Sequence, residues 1–246
     1  MYFGVKNELS TLHNTMIERY TLTATREQLQ QRFGVDVSEF YKPLYNAAPT
    51  HLLPVILQGS AGVSFFYWGT PPEWAKNKHV SEKLINIRAE SFSERPAMRK
   101  TLKRYRCLIP ADGFYAWKKV GKKTLIPHRF IITDKSPISF AGIWEEFEDN
   151  EGQTHHTFMM VTAQANSLVS TMSERMPMIF EKAQEQVWMD ADASEDALLA
   201  LFKVYPEGKM SLYTVSPRIN DSTLNVPSLI IATPPADQFG NLTLFD

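Results

Sequence analysis

The sequence is nearly free of cysteine and of net charge. One thiol, Cys107, in 246 residues excludes an internal disulfide framework and a cysteine-based zinc site. A formal net charge of −1 beside 12% aromatic residues is not the composition of a disordered chain. Long apolar runs are missing too. The stretch from Pro227 to Ala232 is among the longest, far short of the roughly 18 residues a membrane-spanning helix needs. No charged start followed by an apolar stretch marks the N-terminus, so no secretory signal is read and the cytoplasm is the expected location. There is no internal repeat, no low-complexity tract and no linker-like shift in composition, which leaves one domain as the expectation.

What is present is an uneven distribution of charge. Between Lys76 and Arg129 the chain carries fifteen basic residues against four acids, a net +11, and the remainder is −12. A basic block inside a neutral protein is an electrostatic footprint for a polyanion. The alternative is a solvated face that folds against the acidic remainder.

Three segments have helical signals. Residues 25–33 carry Thr25 as N-cap, Leu29 and Phe33 four apart on one face, and Gly34 as the stop. The others run from Ala183 to Trp188 and from Ser194 to Val204. Elsewhere the pattern is of short strands bounded by turn residues: 53–57, 62–68, 107–110, 113–117, 128–133, 138–144, 156–162, 212–215 and 229–231. Asp149 to Gly152 reads as a hairpin turn. The expected fold is a single α+β domain: a curled, mostly antiparallel sheet or barrel with a few peripheral helices.

Several turn-bounded segments combine unusual residue types. They are Arg19-Tyr-Thr-Leu22, Tyr45-Asn-Ala-Ala-Pro-Thr50, Trp68-Gly69 with Glu73-Trp-Ala-Lys76, and Asn86-Ile-Arg-Ala-Glu90. Further along come residues 106–117 (Arg-Cys-Leu-Ile-Pro-Ala-Asp-Gly-Phe-Tyr-Ala-Trp), Phe140-Ala-Gly-Ile-Trp-Glu145, Thr162-Ala-Gln-Ala-Asn166 and Glu174-Arg-Met-Pro-Met178. Together and in this order they resemble the SOS-response-associated peptidase (SRAP) family of abasic-site processing proteins, over about residues 16 to 231. The resemblance places an N-terminal extension at 1–15, the family domain at 16–235 and a C-terminal tail at 236–246.

The resemblance also implies a chemistry. In the family an exposed N-terminal cysteine meets the aldehyde of an abasic deoxyribose. Its α-amine forms a Schiff base and its thiol closes a thiazolidine, while an Asn, a Glu and a His orient the sugar and move protons. Here the cysteine position falls on Ile17, or on Tyr2 if the true N-terminus is set against the motif; Tyr2 is bulky, so Met1 is expected to be retained. The glutamate position is Ala116 and the histidine position is Ser173, so of the four only Asn86 keeps the family's residue. Ile and Ala can neither donate, accept nor attack, and Ser does not titrate near pH 7. Cys107 lies between apolar residues on an expected buried strand and reads as a small hydrophobe rather than a substitute nucleophile. The histidines show no ligand spacing, with His155 and His156 set to opposite faces of a strand. Neither a metal nor another cofactor is expected.

Positions the resemblance assigns to DNA are kept. Arg19, Arg88, Thr162 and Arg175 match places that hold phosphates or the sugar, work suited to the planar fork of arginine. Trp68, Pro49 and Trp117 match apolar residues that stack on or wedge bases. Core packing is the alternative for the tryptophans, and an internal ion pair with Glu90 or another acid is the alternative for Arg88. The reading that follows is a family member that binds single-stranded or abasic DNA, or a single-strand/duplex junction, as a monomer and without crosslinking it. Two other readings are an enzyme retaining Schiff-base chemistry through an amine alone, and an interaction module whose groove takes a peptide. The DNA reading requires a positive cleft at the surface; these arginines buried against carboxylates, with no such cleft left, would exclude it.

Overall fold

The computed structural model describes residues 17–70, 85–121, 124–148 and 152–234, except the side chain of Phe147. The proposed extension 1–15, the tail 236–246, the segment Glu73–Lys76 and most of the expected turn at 149–152 lie outside the described residues.

Runs of alternating and β-branched residues become strands where a neighbour completes their hydrogen bonds. In chain order these are β1 (Tyr20–Leu22), β2 (Leu44–Ala47), β3 (Leu52–Leu57), β4 (Val63–Trp68), β5 (Asn86–Arg88), β6 (Arg106–Ala111) and β7 (Gly113–Val120). Then come β8 (Thr124–Ile132), β9 (Ile138–Glu148), β10 (Thr154–Gln164), β11 (Arg175–Pro177), β12 (Ile179–Phe180) and β13 (Met210–Thr214). The helices are α1 (Arg26–Phe33), α2 (Glu90–Glu94), α3 (Pro96–Arg104), α4 (Lys182–Met189) and α5 (Glu195–Leu199).

One sheet has the order β13-β8-β7-β1-β2. The other runs β11-β10-β4-β3-β6-β9-β12, with β5 also on β10 and with β10 also paired to β9. That last pairing closes β10-β4-β3-β6-β9 into a small barrel. Its long seam runs from Thr154 opposite Glu148 to Met160 opposite Gly142; its short one joins β4 and β10 in parallel at residues 67–68 and 157–158. The pairings are antiparallel apart from β4–β10 and β5–β10.

The main core lies inside, where Phe114 and Phe130 of the first sheet meet Trp68, Phe140, Phe158 and Met160 of the barrel. A second core forms where α2 to α5 cover the barrel's outer face: Phe92, Leu102, Trp188 and Leu198 pack with Leu108, Ala141 and Val161. The expected α+β fold with a small, mostly antiparallel barrel and few helices is what forms.

Details differ from the sequence expectations. Residues 227–230 form a 3-10 turn rather than a strand, opened by Pro227, whose missing N–H suits the first helical position. The third expected helix ends at Leu199, yet Leu201 still packs in the second core. The basic block does not form one face. Arg106 is buried and donates to the carbonyls of Leu102, Lys103, Trp188 and Asp190. Arg129 is buried on Asp112 at 2.8 Å, and Arg99 pairs with Glu195. Of the described residues in the block, Lys100, Lys103, Arg104, Lys118 and Lys119 stay exposed alongside Arg88 and Arg95.

Candidate functional site

The site is built on the C-terminal half of β10. Residues 160–162 pair in parallel with Asn86, Ile87 and Arg88 of β5, and residues 162–164 pair antiparallel with 175–177 of β11. Three short segments from distant parts of the sequence therefore present Asn86, Arg88, Thr162 and Arg175 side by side. None of the short segments has enough alternation to announce a strand; the long β10 holds them in place.

Asn86 is buried, and its Nδ2 donates to the carbonyl of Ile17 at 2.8 Å. Its Oδ1 is buried with no partner among the described residues. Ile17 is wholly buried in the main core, which also contains Ala116. Ile17, which the resemblance set against the family's cysteine, thus points an aliphatic side chain inward and gives its carbonyl to Asn86. Ser173 is buried too; its hydroxyl donates to the carbonyl of Arg175 and accepts from the Arg175 N–H.

Arg175 differs from the expectation of an open cleft. Its side chain is 7% exposed and its two Nη atoms each donate to one Glu90 carboxylate oxygen at 2.9 Å. One Nη also donates to the Thr162 carbonyl at 2.5 Å. The Nε is buried and has no partner among the described residues. Arg175 holds the Glu90 carboxyl below its ordinary range, with Arg88 a lesser contributor. Arg88 stands beside the same carboxylate, its Nε 3.9 Å from Oε2, but is 65% exposed. The sequence offered Glu90 to Arg88, which does stand within ion-pair distance, but the bidentate contact goes to Arg175. One arginine is buried against an acid and the other faces solvent.

Arg19 is partly buried. Its Nη1 donates to the Glu18 carbonyl, its Nε has no partner among the described residues, and burial lowers its pKa. His51 lies near it: burial, and then the Arg19 charge, push the imidazole pKa down. His51 belongs to the turn after Pro49, where Thr50 has φ +69°, unusual for a β-branched residue. Backbone bonds from Thr50 N–H to Trp68 O and from Trp68 N–H to His51 O fix that turn, leaving Pro49 half-buried.

The tryptophans take the core alternative. Trp68 is 0% exposed, donates Nε1–H to the Ile85 carbonyl and stacks on Phe158 with centroids 6.2 Å apart. Trp117 is buried and donates to Asn220 Oδ1. Neither presents a ring face on which a base could stack, which corrects the stacking role read from the motifs. Cys107 is buried inside the barrel, and desolvation drives its thiol pKa far up, so it is not a nucleophile.

The fold has solved counterparts. A protein from Bacteroides thetaiotaomicron superimposes with a TM-score of 0.76 at 24% identity, over 87% of this chain and 99% of that one. The family model for SOS response associated peptidase (SRAP) matches residues 16–222, and the chain belongs to that family. Among its relatives, the abasic site processing protein YoqW of Bacillus subtilis (strain 168) is 35% identical over 223 residues, which covers 87% of this chain and 99% of YoqW. YoaM of the same organism, also an abasic site processing protein, is 34% identical over 225 residues, 88% of this chain and 98% of YoaM.

Proposed function

We propose that this SRAP protein acts on abasic and single-stranded DNA by gripping it, without forming the thiazolidine crosslink. The observation that carries the reading is the contrast within one strand and its neighbour. Asn86 is bound to the carbonyl of a buried Ile17, a side chain with no nucleophile, while two residues on Arg88 stands 65% exposed. Ala116 and Ser173 add no titratable group. The relatives named for abasic-site processing support the choice of DNA as ligand. Arg88, the exposed cation of the site, contacts a backbone phosphate, while Asn86 is held below it by the Ile17 carbonyl.

A gel-shift titration of single-stranded and abasic oligonucleotides at two salt concentrations tests this. The expected result is retention that weakens as salt rises, by about 0.7 in the log–log slope per neutralised phosphate of a single strand. Absence of retention at low salt overturns the DNA reading. A protein–oligonucleotide adduct that survives denaturation overturns the non-covalent part.

A further inference from the structure

We propose that Glu90 is a positioning residue that sets how many phosphates the site grips, because its carboxylate occupies the Arg175 fork as an internal stand-in for phosphate. The inference rests on the DNA reading above.

Carboxylate and phosphate compete for the same guanidinium geometry, two parallel N–H donors in one plane. Glu90 fills that geometry on Arg175, with both oxygens at 2.9 Å, and the Thr162 carbonyl takes a further donation from Nη2. These bonds take both Nη2 hydrogens and one of the two on Nη1, on a side chain only 7% exposed, so the paired fork a phosphate would need is already filled. Glu90 itself is 39% exposed, so this acid sits at the site's surface rather than beneath it. Arg88 approaches only one edge of the carboxylate, at 3.9 Å through Nε, and no bond to its Nη atoms exists among the described residues. The three groups sum to a single positive charge, placed on Arg88. That charge matches one phosphodiester. A site with both arginines free would carry two.

Glu90→Gln removes the charge and keeps an oxygen for one Arg175 donor. The expected outcome is about tenfold tighter binding of a single-stranded oligonucleotide at low salt, the size of one added charge-assisted contact. The salt slope is expected to steepen by about 0.7, because one more phosphate is neutralised. A purely structural role for Glu90 would not steepen that slope. Equal affinity and slope for Glu90→Gln and the parent, with the parent binding DNA, overturn this inference and leave the DNA reading intact; failure of the parent to bind overturns the DNA reading itself. Should Glu90→Gln not fold, the parent protein decides by nuclear magnetic resonance of arginine Nε–H groups during an oligonucleotide titration. The Arg88 signal is expected to shift while that of Arg175 stays. Equal shifts overturn the inference.

Discussion

At the scale of single residues, Arg106 shows an arginine that the fold uses internally. Arg106 is 1% exposed and satisfies four backbone carbonyls, two at the end of α3 and two at and just beyond the end of α4. Arg106→Met keeps the length and apolar stem but leaves those carbonyls without their donor. Each buried orphan costs about 1–3 kcal/mol, partly recovered by water, so a loss of about 3 kcal/mol is expected in urea denaturation. Histidine supplies the pH response. His128 is buried, its Nδ1 lies 3.0 Å from the Ile126 carbonyl and so carries the proton, and burial lowers its pKa despite that bond; Lys118 lowers it further. His51 is lowered as well. Below pH about 6.5 the unfolded chain takes up protons at these positions that the folded chain resists, so stability falls with pH; above it the two states agree. Thermal melts at pH 7.5 and 5.5 are expected to show a drop in midpoint that His128→Gln reduces. An unchanged drop would assign it elsewhere.

At the scale of elements, α1 shows what a sequence states openly. Thr25 accepts from the Gln28 N–H, the Gln28 side chain returns to the Thr25 N–H, and Gly34 closes the helix at φ +69°. Thr25→Ala is expected to cost about 1 kcal/mol through the lost cap. Gly34→Ala is expected to cost about as much for a different reason. No heavy atom lies within 4 Å of the added methyl, so the penalty is entirely the left-handed backbone. The two losses should add in chemical denaturation of the double variant to within about 0.5 kcal/mol if the ends act independently. The helix from Pro96 was not legible in the same way. Its nine residues carry four basic side chains around one buried Leu102, so charge hides the apolar stripe. The three-residue strands Asn86–Arg88 and Arg175–Pro177 have no periodicity of their own and exist because β10 offers its edges. The candidate site is made of these segments, so its residues could be named from motifs while their contacts could not. That is why the sequence leaves Trp68 open to two readings, and why it offers Glu90 to Arg88 without showing that Arg175 takes the closer, two-pronged contact.

For the whole molecule, the decisive feature is closure of the barrel, which turns ordinary alternating strands into a rigid frame for β10. Inside the closed barrel Gly142, opposite Cys107 on the β6–β9 ladder, has no room for a side chain. A Cβ there would stand 2.7 Å from the Cys107 Sγ and 2.9 Å from two carbons of Ile109, all in the packed interior. Gly142 also faces Met160, where β10 passes from the seam with β9 to its pairing with β5. Gly142→Ala therefore forces β9 and β6 apart at the point that sets the position of Asn86. Overpacking of a close-packed core costs about 1–3 kcal/mol, expected here as a lower urea midpoint with an unchanged slope. The DNA site should feel the same displacement. If the frame positions Arg88 as argued, the alanine variant binds a single-stranded oligonucleotide more weakly at 25 °C while still folded. Weakened stability with unaltered DNA binding would mean that the barrel holds the protein together without placing the site.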